Sequence, residues 1–234
     1  GQVMPAYYGE TASSCHLEQC LNRAAAMIGW EEKGLRTVMP DGKIRGRGVA
    51  MAMQGSAISN CDVGSVTVKL SDEGTYNIIV GCTDMGTGCD TIIAQFAADV
   101  LETSIDNIAV YGVDTDTSPY DSGSYASSTT YLTGMAAVRA CEQLKERILA
   151  LAADKMQREA SELCFDGEKV FDEKDGAQMS LFDIATASMC NNEISLEVTY
   201  SHSSPVSPPP FMAACAEVEI DPETGAVELL DYTA

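Results

Sequence analysis

Two loops rich in glycine and hydroxyl side chains carry the residue types best suited to holding a ligand. The first, Gly81 to Thr91, reads Gly-Cys-Thr-Asp-Met-Gly-Thr-Gly-Cys-Asp-Thr, and the second, Tyr120 to Thr129, reads Tyr-Asp-Ser-Gly-Ser-Tyr-Ala-Ser-Ser-Thr. An apolar-periodic run typical of a helix follows each loop. Glycine allows a backbone to approach a ligand closely, and a helix N-terminus offers unpaired N–H donors. Two such loops predict a site for a large, polar and anionic ligand.

Predicted strands and helices flank both loops and would position their donors. Strands at 76–81 and 108–113 precede the loops, and helices at 92–101 and 128–159 follow them. The remaining pattern predicts helices at 16–28 and 181–187, and strands at 48–54, 65–70, 163–165, 169–171, 195–201, 213–220 and 226–230. Strands and helices mix without regular alternation. The predicted class is therefore α+β, with helices packed on one face of a mixed sheet.

Glycines outside the two loops predict further local features. Ser71-Asp-Glu-Gly74 and Asp221-Pro-Glu-Thr-Gly225 are turn signals, and each is expected to join two strands into a hairpin. Gly134 lies inside the predicted helix at 128–159. A glycine there indicates either a weak point in the helix or a site of close packing.

The charge balance limits the classes of partner. Lys and Arg number 14 against 35 Asp and Glu, which gives a formal net charge of −21. Such a field repels nucleic acid and anionic membranes, so neither is an expected partner. Basic side chains are scarce, so an anionic ligand is expected to be held by backbone amides and helix ends.

The nine cysteines do not form a metal-binding or disulfide pattern. They lack a C-x-x-C motif, and with only His16 and His202 the chain offers no convincing zinc set. Cys15 and Cys20 could form a disulfide or a metal pair, but their helical spacing and lack of partners favour free thiols. No signal peptide and no apolar run of about 20 residues is visible. Reduced thiols and a cytoplasmic location are the expectation.

Several polar residues near the loops have competing interpretations. Asp114, Asp116 and Asp121 could suggest calcium, but their spacing does not match an EF-hand, which favours a solvated loop that caps the next helix. Asp90 is predicted to be an N-cap or a first-turn acid. Met85 is expected to pack in the core.

Other candidate centres lack partners. Asp84 could touch a ligand or support the turn of the first loop. A lone histidine such as His202 is more often structural than catalytic. The serines of the second loop form no hydrolase triad with it, because the chain has no Gly-x-Ser-x-Gly elbow.

The loops and several later motifs, in this order and spacing, resemble one family. The resemblance runs from about residue 14 to 233 and rests on these segments: Gly64-Ser-Val-Thr-Val68, Thr83-Asp-Met-Gly-Thr-Gly-Cys-Asp-Thr91, Gly123-Ser-Tyr-Ala-Ser-Ser-Thr-Thr-Tyr-Leu-Thr-Gly134, His202-Ser-Ser-Pro, Pro208-Pro-Pro-Phe211 and Ala216-Glu-Val-Glu-Ile-Asp221. They resemble the molybdopterin-binding large subunit of the xanthine dehydrogenase and aldehyde oxidase group, the molybdenum hydroxylases.

That resemblance implies which residues line the cofactor, a pyranopterin dithiolene with its molybdenum. They lie in both loops: Gly86, Thr87, Gly88, Tyr125, Ala126, Ser127, Ser128 and Thr129. Ala126 is the leading candidate, because a small side chain allows close approach. Many relatives carry Gln where this chain has Thr87, so a direct contact there is expected to become water-mediated.

The resemblance also implies the activity of the intact enzyme. It hydroxylates an aldehyde or N-heteroaromatic, purine-like carbon with oxygen from water, and electrons leave through iron–sulfur and flavin (FAD) partners. In bacterial relatives the pterin commonly carries a cytidine nucleotide, and the resemblance leaves both forms of the pterin open.

The family's catalytic Glu has no counterpart before Ala234, so no catalytic residue and no metal ligand is assigned within this chain. The expected organisation is an N-terminal helix and connection over 1–44 and a truncated molybdopterin-binding segment over 45–234. This segment is expected to be inactive without the rest of the large subunit. The alternatives are a non-enzymatic phosphate- or nucleotide-binding module that uses the same loops, and an inactive paralogue.

Overall fold

The computed structural model describes residues 14–190 and 195–234, together with the backbone of two short strands nearer the start. The strands are β1 (Val3–Met4), β2 (Glu10–Thr11), β3 (Arg36–Val38), β4 (Ile44–Met53), β5 (Val63–Leu70), β6 (Tyr76–Val80), β7 (Ile108–Tyr111), β8 (Leu163–Phe165), β9 (Lys169–Asp172), β10 (Gln178–Ser180), β11 (Glu197–Ser203), β12 (Phe211–Ile220) and β13 (Val227–Thr233). The helices are α1 (Leu17–Met27), α2 (Cys89–Val100), α3 (Thr129–Met156) and α4 (Leu181–Met189).

These elements form two compact units. The first comprises residues 1–56 and 207–234, and the second comprises residues 57–206. Residues 45–56 belong to the first unit because β4 pairs with β3 and β12. The boundaries of these two units differ from the expected division into 1–44 and 45–234. That division describes the extent of the family segment, and it stays a prediction.

The first unit is built on a four-stranded antiparallel sheet with the strand order β13-β12-β4-β3. The turn at 221–225 joins β12 to β13, as its sequence predicts, and Gly225 N–H donates to the Asp221 carbonyl at 2.8 Å. Helix α1 packs on β12, where Ala24 and Ile28 bury Cys215. The Thr233 hydroxyl donates to the Ala24 carbonyl at 3.2 Å and fixes the helix to β13.

The second unit is built on a mixed sheet with the strand order β11-β5-β6-β7. Strands β11, β5 and β6 pair antiparallel, whereas β6 and β7 are parallel. Helix α3 packs on β5 and β11, and α2 packs on α3 and β7. The core lies between this sheet and the helices, and its fully buried members include Val66, Val68, Ile78, Val80, Ala137, Leu144 and Ile148. Burial also raises the pKa of the Tyr76 hydroxyl.

Gly134 is a site of close packing between the two long helices. A Cβ placed on it would lie 2.6 Å from the Phe96 ring, so only glycine lets α2 and α3 approach this closely. The second of the two interpretations of this glycine is therefore confirmed.

The predicted α+β class is confirmed, with mixed strand pairing and helices on the sheet. The strands are distributed over several sheets instead of one, including a small sheet β10-β9-β8 beside α4. Strands β3 and β10 were not predicted, because three residues are too few to establish an alternating pattern. Among the described helices, none has the length and apolarity needed to cross a bilayer.

Candidate functional site

The two loops leave the same edge of the mixed sheet. Because β6 and β7 run parallel, with Ile79 opposite Tyr111, their carboxyl ends lie side by side. In open α/β sheets, ligands bind beyond the carboxyl ends of parallel strands, and the β6–β7 pair shares that local geometry. The sequence correctly predicts that each loop joins a strand to a helix, α2 for the first loop and α3 for the second. The parallel pairing was not predicted.

The loops touch each other at their base. A Cβ on Gly81 would lie 2.3 Å from the Pro119 carbonyl oxygen, so this position requires glycine. Further along, the Ser124 hydroxyl donates to the Thr83 carbonyl at 3.2 Å. The predicted cofactor residues of both loops are therefore brought into one region.

Asp84 organises the first loop. One of its carboxylate oxygens accepts the backbone N–H of Gly86 at 2.8 Å and that of Gly88 at 3.1 Å. The two glycines have φ of +104° and +73°, in the left-handed region that favours glycine. The Gly86 bond, followed by the Gly88 bond, lowers the pKa of Asp84. Of the two roles considered for Asp84, support of the turn is the one the structure contains.

The first loop differs in two ways from its sequence-based interpretation. The amides of Gly86 and Gly88 donate to Asp84, so they set the loop's shape before any ligand arrives. Met85 is 66% exposed, and its predicted core packing is wrong, because the tight turn around Asp84 faces its side chain to solvent. Asp90 lies in the first turn of α2, while the N-cap is Gly88. The Thr87 side chain is exposed.

The second loop contains two successive residues with left-handed backbone. Ala126 and Ser127 have φ of +51° and +58° without being glycine, which is a strained arrangement that surrounding contacts must maintain. The Ala126 carbonyl accepts the N–H of Ala57 at 2.8 Å. The Ser128 hydroxyl donates to the Gly123 carbonyl at 3.0 Å, so it supports the loop from within.

A buried aspartate outside both loops braces the second one. Asp62 is 1% exposed, and it accepts the Tyr125 hydroxyl at 2.5 Å and the Ile58 N–H at 2.7 Å. The hydrogen bond to Asp62 raises the pKa of Tyr125 to about 12. Sequence reasoning missed Asp62. Its signal was weak, since an Asp four residues after Ile58 indicates only a turn.

Asp121 fixes the other end of the second loop to α3. It accepts the Gly123 N–H at 2.8 Å and the Thr133 hydroxyl at 2.9 Å. Asp114 accepts the N–H of Asp116 at 2.9 Å. These are turn and helix-start contacts, which agrees with the loop interpretation and not with a calcium ladder.

One trio of possible metal ligands exists within the described residues. The ligand atoms of Asp84, Cys89 and Asp90 lie within 4.8 Å of one another. However, Asp84 is already used by the loop amides, and burial raises the pKa of the Cys89 thiol. The trio therefore supports the loop and is not assigned as a metal site. All nine cysteines, including Cys15 and Cys20, are free thiols.

His202 lies on β11 opposite Gly64, away from any acid–base partner identified in the described chain. Burial, with a smaller contribution from Arg139, lowers the pKa of His202. The structural interpretation of His202 stays a prediction.

Three features of the loops suit a polar, anionic group. The Thr129 hydroxyl is buried and has no hydrogen-bond partner within the described part of the chain. A Cβ placed on Gly86 or Gly88 would meet no atom within 4 Å, so the loop surface is open there. Helix α3 has no acidic residue in its first turn, which leaves its N-terminal amides suited to an anionic group. The residues present therefore fit an anionic cofactor.

The fold and the paired loops define a cofactor-binding domain. The family described as the molybdopterin cofactor-binding domain matches residues 23–234, and the chain belongs to that family. This favours the molybdopterin-binding interpretation of the chain over the phosphate- or nucleotide-binding module.

Curated relatives agree with the family. A probable hypoxanthine oxidase, XdhD, of Escherichia coli (strain K12) is 35% identical over 225 residues, which is 96% of this chain and 23% of the relative. A putative xanthine dehydrogenase molybdenum-binding subunit, XdhA, of the same strain is 28% identical over 91% of this chain and 29% of the relative. The chain thus spans less than a third of the length of these relatives.

A solved structure has the same fold. Reconstituted CO dehydrogenase from Oligotropha carboxidovorans superposes with a TM-score of 0.80 at 22% identity, over 96% of this chain and 31% of that chain. At this identity the likeness concerns the fold alone.

Proposed function

We propose that this chain is the molybdenum-cofactor-binding segment of a molybdenum hydroxylase large subunit. The intact enzyme would hydroxylate an N-heteroaromatic, purine-like carbon or an aldehyde carbon, with water as the oxygen source. The observation that carries the proposal is the pair of loops at one sheet edge. The relatives named as a hypoxanthine oxidase and a xanthine dehydrogenase subunit support a purine-like substrate.

The two loops would hold the cofactor with different kinds of group. The first would present Gly86, Thr87 and Gly88, with Asp84 fixing their backbone. The second would present Tyr125, Ala126, Ser127, Ser128 and Thr129, with Asp62 and Asp121 fixing its shape. When bound, the cofactor supplies the metal centre that accepts electrons from the substrate carbon. The contribution of this chain is to bind and orient that group.

The remaining machinery would come from outside this chain. The proposal places the general base, a Glu, elsewhere in the large subunit, with iron–sulfur and FAD centres on partner subunits or domains. A cytidine dinucleotide form of the pterin and a cytoplasmic location are further parts of the proposal. By itself the 234-residue chain would be inactive, because loops from one part of the subunit give only some of the cofactor contacts.

A substitution at Ala126 tests the site assignment. In the full-length subunit, Ala126→Glu places a large anion at the strained turn of the second loop. Molybdenum content by mass spectrometry of the metal, and pterin by fluorescence after oxidation, should both fall by more than about ten-fold, because a large anion would occupy the place proposed for the anionic cofactor. Ala226→Glu is the matched control, since Ala226 is exposed in the β12–β13 turn region. Normal molybdenum in the Ala126→Glu variant would refute the assignment.

Calorimetry on the 234-residue chain separates this proposal from the binding-module alternative. Inorganic phosphate and a cytidine nucleotide are titrated separately. Saturable binding of phosphate or nucleotide by the chain alone, lost in Ala126→Glu, would favour the alternative. We expect no saturable binding. Without the rest of the subunit, the contacts made by these two loops would have to offset all of the entropy lost when the loops are ordered on the ligand.

A further inference from the structure

The two faces of the sheet in the first unit differ sharply in chemistry. Strand register places Glu217 opposite Arg47 and Glu219 opposite Arg45 on one face. Arg47 binds Glu217 at 3.2 Å and Arg45 binds Glu219 at 2.9 Å, with Lys33 and Lys43 as second partners of the two glutamates. Helix α1 covers the same face at Cys215. This face is therefore charged and is covered around Cys215, Glu217 and Glu219, whereas Val49 and Met51 of β4 on the same face stay exposed.

On the opposite face, β4, β12 and β13 carry no charged side chain, and β3 places Arg36 beside Gly46 at the edge of that face. We call this surface the apolar face. By the same register it comprises Ile44, Gly46, Gly48, Ala50, Ala52, Met212, Ala214, Ala216, Val218, Ile220, Val227, Leu229 and Tyr232. None of these is buried. Four of the larger side chains are open to solvent: Met212 is 47% exposed, Tyr232 55%, Leu229 61% and Val227 64%.

In an ordinary antiparallel sheet the apolar face packs on the core, whereas here it is open to solvent. Folded monomers rarely expose a contiguous apolar patch of this kind unless it binds something. The absence of charge on β4, β12 and β13 is also unusual for a chain with a net charge of −21. On β4 the face carries only small side chains beyond Ile44, so a partner could approach the backbone closely.

We propose that the apolar face is an internal interface that docks the remaining part of the same large subunit through an uncharged, apolar layer. The proposal rests on the proposed function. The proposal is supported by the size of the relatives, since this chain spans only 23% and 29% of the two curated relatives. The rest of such a subunit is large enough to cover the apolar face. Permanent interfaces are apolar like a domain core cut in half, which matches a face without any charge on β4, β12 and β13.

Oxidative footprinting can test the interface without substitutions. Hydroxyl radicals oxidise exposed Met and Tyr side chains, and mass spectrometry measures the rate at each. Met212 and Tyr232 should be oxidised about ten-fold more slowly in the intact large subunit than in the 234-residue chain, since burial in an interface excludes solvent. Met27 of α1, 65% exposed and off the apolar face, is the reference. Equal rates for Met212 and Tyr232 in both samples overturn the proposal.

A substitution gives opposite expectations in the two samples. Leu229→Asp should leave the urea midpoint of the 234-residue chain nearly unchanged and reduce its binding of a hydrophobic dye, because the side chain is exposed there. In the intact subunit the same change should lower the yield of folded protein several-fold. There the Asp carboxylate would be buried in the interface without a partner, which destabilises the folded subunit. Ala226→Asp, in the adjoining turn, is the control. An intact subunit that tolerates Leu229→Asp overturns the proposal.

A second copy of this chain is the competing occupant. It would protect Met212 and Tyr232 in the 234-residue chain alone, in a concentration-dependent way, with dimers in sedimentation; that result also overturns the proposal. Failure of the interface is distinguishable from failure of the proposed function, because the molybdenum content of the intact subunit is measured separately.

Discussion

The hydroxyl of Tyr125 donates to the buried carboxylate of Asp62 across 63 positions of sequence, at 2.5 Å. This bond anchors the strained turn at Ala126 and Ser127 to a segment that lies before β5. Asp84 plays the corresponding part inside the first loop, and Asp121 ties the second loop to α3. Three carboxylates, none of them assigned to the cofactor itself, thus set the backbone shape of the candidate site.

The Asp62–Tyr125 bond should be visible in the titration of Tyr125. The phenol is expected to ionise with a pKa of about 12, because ionisation would break its hydrogen bond to Asp62 and place a second negative charge beside that carboxylate. In Asp62→Asn the pKa should fall toward the ordinary value of 10.0. Ultraviolet difference titration of each protein against its Tyr125→Phe counterpart isolates this one tyrosine. A Tyr125 pKa that is the same in the wild type and in the Asp62→Asn variant would contradict the contact.

Asp84→Ala should lower the amount of molybdenum that the full-length subunit retains, while the domain stays folded. The Gly86 and Gly88 amides lose their acceptor, so the loop must be ordered by the cofactor. We expect the retained molybdenum to fall several-fold, because ordering the loop then weakens binding of the cofactor. Molybdenum content after dialysis against a chelator measures the loss. Asp221→Ala, which removes a similar turn acceptor from the β12–β13 hairpin, should retain the metal.

Because the pKa of Asp84 is lowered in the folded protein, its contribution has a definite pH dependence. Order of the first loop is fully present above the ordinary pKa of 3.8 and is lost as pH falls through the lowered value. Amide hydrogen exchange at Gly86 and Gly88, compared with that in Asp84→Asn, should show this acid transition in the wild type only.

Gly81→Ala should separate the two loops, because its Cβ would meet the immovable Pro119 carbonyl at 2.3 Å. We expect most of the molybdenum to be lost from the full-length subunit and stability to fall by about 1–3 kcal/mol, as in other overpacked sites. Gly134→Ala is the matched control. It meets the Phe96 ring at 2.6 Å, so it should lower the urea midpoint while the metal is kept. Equal metal loss in both variants would argue against a specific role for the loop contact.

Glu217→Gln should destabilise the first unit by about 3 kcal/mol at neutral pH, because Arg47, whose side chain is 5% exposed, loses its charged partner. Hydrogen bonds from Arg47 and then Lys33 lower the pKa of Glu217 below 4.5. The stabilisation is therefore present above pH 4.5 and lost as pH falls through the lowered pKa. Urea unfolding across this range should show the gap between wild type and variant closing in acid. Glu228→Gln, exposed on the same face, should behave like the wild type.

Local signals in the sequence were sufficient for the loops and hairpins. The turn at 221–225 and the strand–loop–helix units around Gly86 and Ala126 follow from glycine, hydroxyl and apolar spacing, which act over a few residues. The positions of Asp84 and Asp90 near a helix start were also readable in this way.

Contacts between distant segments could not be predicted in the same manner. Asp62 acquires its role only when the segment before β5 folds against the second loop, and Met85 is exposed because a neighbouring carboxylate tightens its turn. Alternation in Glu217-Val-Glu-Ile220 indicates a two-faced strand. It does not indicate that the charged face is the covered one, since that depends on α1 and on β4, more than a hundred residues away.

The composition of the first unit from residues 1–56 and 207–234 has a consequence for synthesis on the ribosome. Residues 57–206 emerge as one contiguous stretch and can collapse as soon as they are made, whereas β4 must wait for β12 before its ladder can form. Closing so long a loop is slow relative to local folding, and unpaired strands are prone to aggregate meanwhile. The Asn60 N–H donates to the Ser204 carbonyl, so the two ends of this stretch lie close together once it has folded. Folding of residues 57–206 thus shortens the loop that separates β4 from β12. For the sheet of the first unit to form quickly, residues 57–206 must therefore fold first.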